Sequence, residues 1–153
     1  MAARNSVATR DERTLVITRV FDAPVSLVWL AWTDGEHIAK WSAPRGFTIP
    51  TSEGDLRPGG KWRCCMRAPD GKYLWLGGVY REIIPNEKLV FTWSWDPAPG
   101  DEPRESLVTV LLKPDDGGTL LTVIHERLPD EEARAGHEGG WNGALDKLEK
   151  LVA

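Results

Sequence analysis

The chain has 153 residues and a net charge of −4, the size of one domain and long enough to bury roughly two-thirds of its surface around a real core or a lined cavity. The acidic balance argues against nucleic acid, whose binding rests mainly on neutralising phosphates, and the longest wholly apolar run, Leu27 to Trp32, is far too short to cross a bilayer. Residues 1–20 hold no apolar signal core, so the cytoplasm is the expected compartment.

Residues 1–12 are polar and without periodicity and read as a frayed, disordered tail ahead of one domain over 13–153. Thr14 to Phe21 is β-branched and aromatic, a strand. Pro24 suits the first turn of a helix with Asp22 or Ala23 as its cap. Val25, Val28, Trp29 and Trp32 then recur at i, i+3, i+4 and i+7, the stripe of an amphipathic helix. A second short helix carries Ile38 and Trp41. Strands follow over Phe47–Asp55, Lys61–Arg67, Tyr73–Ile84, Lys88–Trp95, Ser106–Lys113 and Thr119–Arg127. Their short links imply an antiparallel meander. Trp62, Cys64 and Met66 share one face of their strand, and Leu89, Phe91, Trp93 and Trp95 share one face of theirs. Gly77-Gly78 interrupts Tyr73–Ile84 and predicts a bend, but apolar residues on both faces before it leave that strand's inward face open.

The last segment predicts a helix from about Asp130 to Val152, with His137, Trp141, Leu145, Leu148 and Val152 on one stripe. Gly136, Gly139, Gly140 and Gly143 crowd its first half. Each is disfavoured by about 1 kcal/mol relative to Ala, and most miss the apolar stripe, so a kinked or mobile first half is expected. The order is strand, two short helices, six strands, long helix. It gives an α+β fold in which a curved seven-stranded antiparallel sheet wraps a long C-terminal helix.

Four segments in the right order carry a resemblance. They are Asp22-Ala23-Pro24 with Val28-Trp29, Asp55-Leu56-Arg57-Pro58-Gly59-Gly60, Leu89-Val90-Phe91-Thr92-Trp93, and Gly140-Trp141 with Leu145 and Leu148. Together they resemble the activator of heat-shock-protein ATPase homologue family (Aha1-type C-terminal domain), within the START/Bet v 1-like SRPBCC superfamily, over nearly the whole chain. The resemblance implies a helix-grip fold with a hydrophobic cavity between sheet and C-terminal helix. It implies no single function, because the superfamily includes carriers, polyketide cyclases and aromatases, and chaperone-binding domains.

The expected ligand is a small apolar or aromatic molecule, and Trp62, Met66, Tyr80, Phe91, Trp93, Val110, His125, Trp141 and Leu145 are the expected binding residues. His125 shares the alternation of Leu121 and Val123 and should point inward. It is either a core histidine satisfied by a carbonyl or Tyr80, or a group that orients a ligand or moves a proton. Glu82 and Tyr80 share a face if the strand is regular, and a slight preference places both inward. A cyclase- or hydrolase-like enzyme using His125 and Glu82 is therefore one alternative, and a chaperone-interacting module is another. A homodimer through a sheet edge is open, with nothing in the chain to specify it. His125, Glu126 and His137 lack a recognised zinc-ligand spacing, and adjacent Cys64 and Cys65 read as a small core residue and an exposed thiol. No metal or redox cofactor is expected.

Overall fold

The computed structural model describes residues 6–97, 99–102 and 104–152. Its strands are β1 (Ser6–Asp11), β2 (Thr14–Phe21), β3 (Thr48–Gly54), β4 (Lys61–Arg67), β5 (Tyr73–Ile84), β6 (Lys88–Trp95), β7 (Ser106–Asp115) and β8 (Gly118–Glu126). Its helices are α1 (Val25–Thr33), α2 (Gly35–Trp41) and α3 (Glu131–Val152). The strands form one antiparallel sheet in the order β1-β2-β8-β7-β6-β5-β4-β3. This is the helix-grip architecture expected from the sequence, with eight strands instead of seven.

The additional strand corrects the reading of residues 1–12 as a disordered tail. Ser6–Asp11 pairs antiparallel with β2, from Ser6 opposite Thr18 to Asp11 opposite Thr14. Paired backbone needs no apolar periodicity, which is why the polar sequence gave no signal. Residues 1–5, also assigned to the tail, lie outside the described residues.

Between β2 and β3 the two short helices carry the chain from one side of the sheet to its far edge. Pro24 is itself the N-cap of α1 (φ −66°), in place of the expected Asp22 or Ala23, and no side chain caps that end. Asp34 closes α1 and caps α2, its carboxylate accepting from the His37 backbone N–H. The main core joins Leu15 and Ile17 of β2, Val108 and Val110 of β7, and Leu121 and Val123 of β8 to Val28 and Trp32 of α1. Leu145, Leu148 and Val152 of α3 complete it.

The glycine pair in β5 has a steric cause. A Cβ on Gly78 would stand 1.9 Å from the Thr92 carbonyl oxygen of β6, and one on Gly77 would stand 2.6 Å from the Trp62 carbonyl oxygen of β4. Three residues later the β5–β6 register shifts between Tyr80 and Glu82, a bulge. The extra residue reverses the alternation.

Helix α3 runs without a break from Glu131 to Val152, through all four glycines. Its second half is clamped. Asp146 pairs with Arg19 of β2 at 2.7 Å and also with Arg45. The Lys147 ammonium donates to the carbonyls of Ala43, Pro44 and Phe47 at 2.9, 2.9 and 3.1 Å. Gly143 is required by close approach, because a Cβ there would sit 3.1 Å from the Arg45 backbone nitrogen. Gly136 and Gly139 face open space. Replacing either with Ala should therefore stabilise the fold by about 1 kcal/mol, a rise of roughly 2–4 °C in Tm, whereas Gly143→Ala should lower it. Thermal unfolding of the three single variants checks this. A loss of stability in Gly136→Ala or Gly139→Ala would contradict it.

Candidate functional site

Four strands, β3 to β6, and the two short helices leave a pocket of about 350 Å³ unfilled. Trp62 and Met66 of β4, Tyr80 of β5 and Phe91 and Trp93 of β6 form its sheet wall, while Trp32, Ile38 and Trp41 come from the helices and Trp141 from α3. Six of the nine expected binding residues thus meet here: Trp62, Met66, Tyr80, Phe91, Trp93 and Trp141. Val110 and Leu145 instead lie in the packed core, and His125 is fully buried beside it. The second half of α3 packs directly on the sheet, so the space lies beside the helix midpoint, under α1 and α2, and does not run along the helix.

Trp62 is positioned by its glycine partner. Its cross-strand neighbour on β5 is Gly78, which presents no side chain, so the indole can reach across β5 and donate to the Thr92 carbonyl of β6 at 3.1 Å. The Thr92 hydroxyl meanwhile accepts the Val79 backbone N–H at 2.8 Å. The glycine pair therefore both admits the close approach of the neighbouring strands and seats a pocket tryptophan. Trp62 and Tyr80 meet Phe91 edge-to-face, at ring separations of 5.7 and 6.3 Å.

Tyr80 faces inward as expected, and burial raises its pKa, so the phenol stays protonated. Its hydroxyl has no hydrogen-bond partner among the described residues and lies against Gly54 of β3. Glu82 does not share that face. The bulge after Tyr80 turns it outward, where it pairs with Lys88 at 3.0 Å, and Ile83 takes the inward position. The inward placement of Glu82 is thus corrected, and the carboxylate of the proposed acid–base pair is absent from the pocket. Cys65, read as exposed, is buried; Cys64 is buried too, and desolvation pushes its thiol up to about 12.

His125 holds the wall together. The Trp141 indole N–H donates to its Nδ1 at 3.0 Å, its Nε2 is 2.7 Å from the Ser106 hydroxyl, and that hydroxyl lies 3.1 Å from the Trp93 carbonyl. An indole N–H can only donate and a carbonyl can only accept. Every proton in the chain is therefore assigned. His125 carries its hydrogen on Nε2, and Ser106 passes its own hydrogen to Trp93. The core-histidine reading holds, with Ser106 and Trp141 as partners in place of a carbonyl or Tyr80. Burial, and secondarily the neighbouring His137, lowers its pKa from 6.5 to about 3.

Sequence reasoning missed the helical wall. Trp32 and Trp41 meet edge-to-face at 4.6 Å, and Trp32 stacks on Trp141 at 5.7 Å. The Trp41 indole donates to the Ala31 carbonyl at 2.8 Å, whereas the buried Trp32 indole nitrogen has no partner among the described residues. The available signal was the density of tryptophans in 29–41, which by itself reads as core. Among the described residues no three metal-ligating side chains converge, and no helix is long and apolar enough to cross a membrane.

Residues 22–153 match the model of the family described as Activator of Hsp90 ATPase homolog 1-like protein. The chain belongs to this family. Solved structures agree across its length. A protein of Chromobacterium violaceum is 32% identical, with TM-score 0.84 over 92% of this chain and 96% of that one. An AHSA1 protein of Silicibacter pomeroyi is 28% identical, with TM-score 0.81 over 91% and 96%. A protein of Arthrobacter aurescens is 28% identical, with TM-score 0.82 over 98% and 92%. No curated protein matches.

The family shares this helix-grip fold, and the His125 chain makes a specific demand on pH. The unfolded chain binds a proton at His125 below about 6.5 and the folded chain only near 3. Its contribution to stability is therefore full above pH 6.5 and falls as pH drops through that window, at up to about 1.4 kcal/mol per unit. His125→Gln, which keeps an acceptor for Trp141 and a donor for Ser106, should show a shallower loss of stability between pH 6 and 4 than the wild type. Denaturant unfolding across pH checks this, and identical slopes would contradict it.

Proposed function

We propose that this protein binds a small, neutral apolar or aromatic molecule in the pocket between β4–β6 and the α1–α2 pair. The convergence of Trp62, Tyr80, Phe91, Trp93 and Trp141 on one unfilled space carries the reading. Rigid rings bury large area at little entropic cost, and apolar burial contributes about 25 cal/mol per Å² before ordering costs. The pocket's charged lining residue is Glu53, so a neutral guest fits better than an anion. The unpartnered Tyr80 hydroxyl supplies a hydrogen bond that fixes orientation. Binding of this kind needs no metal or redox cofactor and no membrane.

Catalysis through His125 and Glu82 has little support, since the imidazole spends both nitrogens on Ser106 and Trp141 and the carboxylate is outside. A chaperone-interacting module is the second reading, favoured by the exposed apolar residues Tyr73, Leu74 and Trp75 at the start of β5 and by the family's name. Calorimetric titration with 1-naphthol separates the two. The pocket reading expects saturable binding that Trp62→Ala and Phe91→Ala weaken about tenfold or more, the size of loss typical for removing a buried aromatic anchor. Tyr80→Phe should weaken 1-naphthol but not naphthalene. Equal affinity in all variants, or no saturable binding of neutral aromatics, would contradict it.

A further inference from the structure

On the far side of the Trp93–Trp141 wall lies a second pocket of about 430 Å³, between the first half of α3 and β6–β7. Its chemistry is opposite in sign. In a chain with 23 acidic residues, no Asp or Glu among the described residues lines it, and its polar side chains include Arg104 and His137. Arg104 is exposed and makes no ion pair with a described residue. His137 is half-buried. Its ring meets Trp93 at 4.8 Å and His125 at 4.5 Å, and its nitrogens make no hydrogen bond among the described residues. Trp95 and Leu128 supply apolar wall.

Beside His137 and Trp141, the helix presents only small residues to this pocket. Gly136 and Gly140 line it one turn apart, and a Cβ on Gly136 would meet nothing within 4 Å. Neither glycine has a positive φ, and packing does not require the one at 136. Open room for a guest accounts for a residue that the helix itself disfavours.

We propose that this second pocket binds an apolar monocarboxylate. Its ring or short chain lies against Trp95 and Leu128 over the glycine face, and its carboxylate meets the Arg104 guanidinium and a nitrogen of His137. Guanidinium and carboxylate match in geometry and charge and form paired charge-assisted hydrogen bonds. The two pockets share Ser42, Met66, Trp93 and Trp141 as lining, but Glu53, the charged residue lining the first, would repel such a ligand there.

The test compares 2-naphthoate with neutral 2-naphthamide by calorimetry, with the protein's indole N–H and arginine Nε–H signals followed by NMR. The expected result is naphthoate binding about tenfold tighter than naphthamide, as one charge-assisted contact at a partly solvated site provides. Arg104→Gln should abolish that preference, and Gly136→Leu, which fills the pocket from a position with free space, should abolish binding of both. Signals of Trp95 and Arg104 should shift while that of Trp62, which lines only the first pocket, stays still. Equal affinities for the two probes, or an unchanged preference in Arg104→Gln, would overturn the proposal. So would shifts confined to Trp62, which would place the carboxylate in the first pocket. Should Gly136→Leu fail to fold, Arg104→Gln and the indole shifts still decide the question. Failure here leaves the binding of neutral 1-naphthol in the first pocket untouched, so the two readings stand or fall separately.

Discussion

The hydrogen-bonded chain Trp141–His125–Ser106–Trp93 is the constraint on which the rest of the molecule's interior depends. It ties α3 to β8, β7 and β6 in succession, and its two ends are the large rings that separate the two pockets. Each donor has one acceptor and each acceptor is used, so the polar groups of these four residues' side-chain links are satisfied without solvent. A single histidine thereby does structurally what an apolar residue could not. It fixes the orientation of Trp141, and through Ser106 it holds the β6 backbone at Trp93.

A wall fixed in this way explains how a packed core and unfilled space coexist in one small domain. Below the wall, Leu145, Leu148 and Val152 pack on β2, β7 and β8, and Asp146 and Lys147 pin that half of α3 to β2 and to the loop after α2. Above it, tryptophans on α1, α2, β4 and β6 meet edge-to-face and leave gaps that their flat rings cannot fill. The packed and paired side chains lie on the second half of α3, and the open space lies beside its midpoint and first half. The glycine-rich first half of the helix belongs to the open end.

Much of this was legible in the residues. Alternation in Lys61–Arg67 and Lys88–Trp95 placed Trp62, Met66, Phe91 and Trp93 on the correct face, and the helical stripe placed Trp141. The glycine pair stood out as an interruption of its strand, although its role of letting Trp62 reach Thr92 appears only when three strands are seen side by side. Alternation failed where the backbone departs from regularity. The bulge between Tyr80 and Glu82 reverses the faces, and no residue type there signals it. Ser6–Asp11 was missed because an edge strand is held by backbone pairing, and its sequence need not be apolar. Val110 and Leu145 face inward as their periodicity says, but periodicity cannot distinguish a packed interior from a pocket wall. Trp32 and Trp41 were invisible as site residues for a related reason: nothing in a helical stripe tells which strands it will cover.

The central claim is that the pocket beneath α1 and α2 is apolar room held open by a wall that does not relax into it. The most direct measurement is a crystal structure under xenon pressure, since xenon enters apolar space without polar contacts of its own. The account predicts a xenon site flanked by Trp62, Phe91 and Trp141, with the Trp141–His125–Ser106 hydrogen bonds unchanged. Rings collapsed into that space, with no xenon among them, would contradict it.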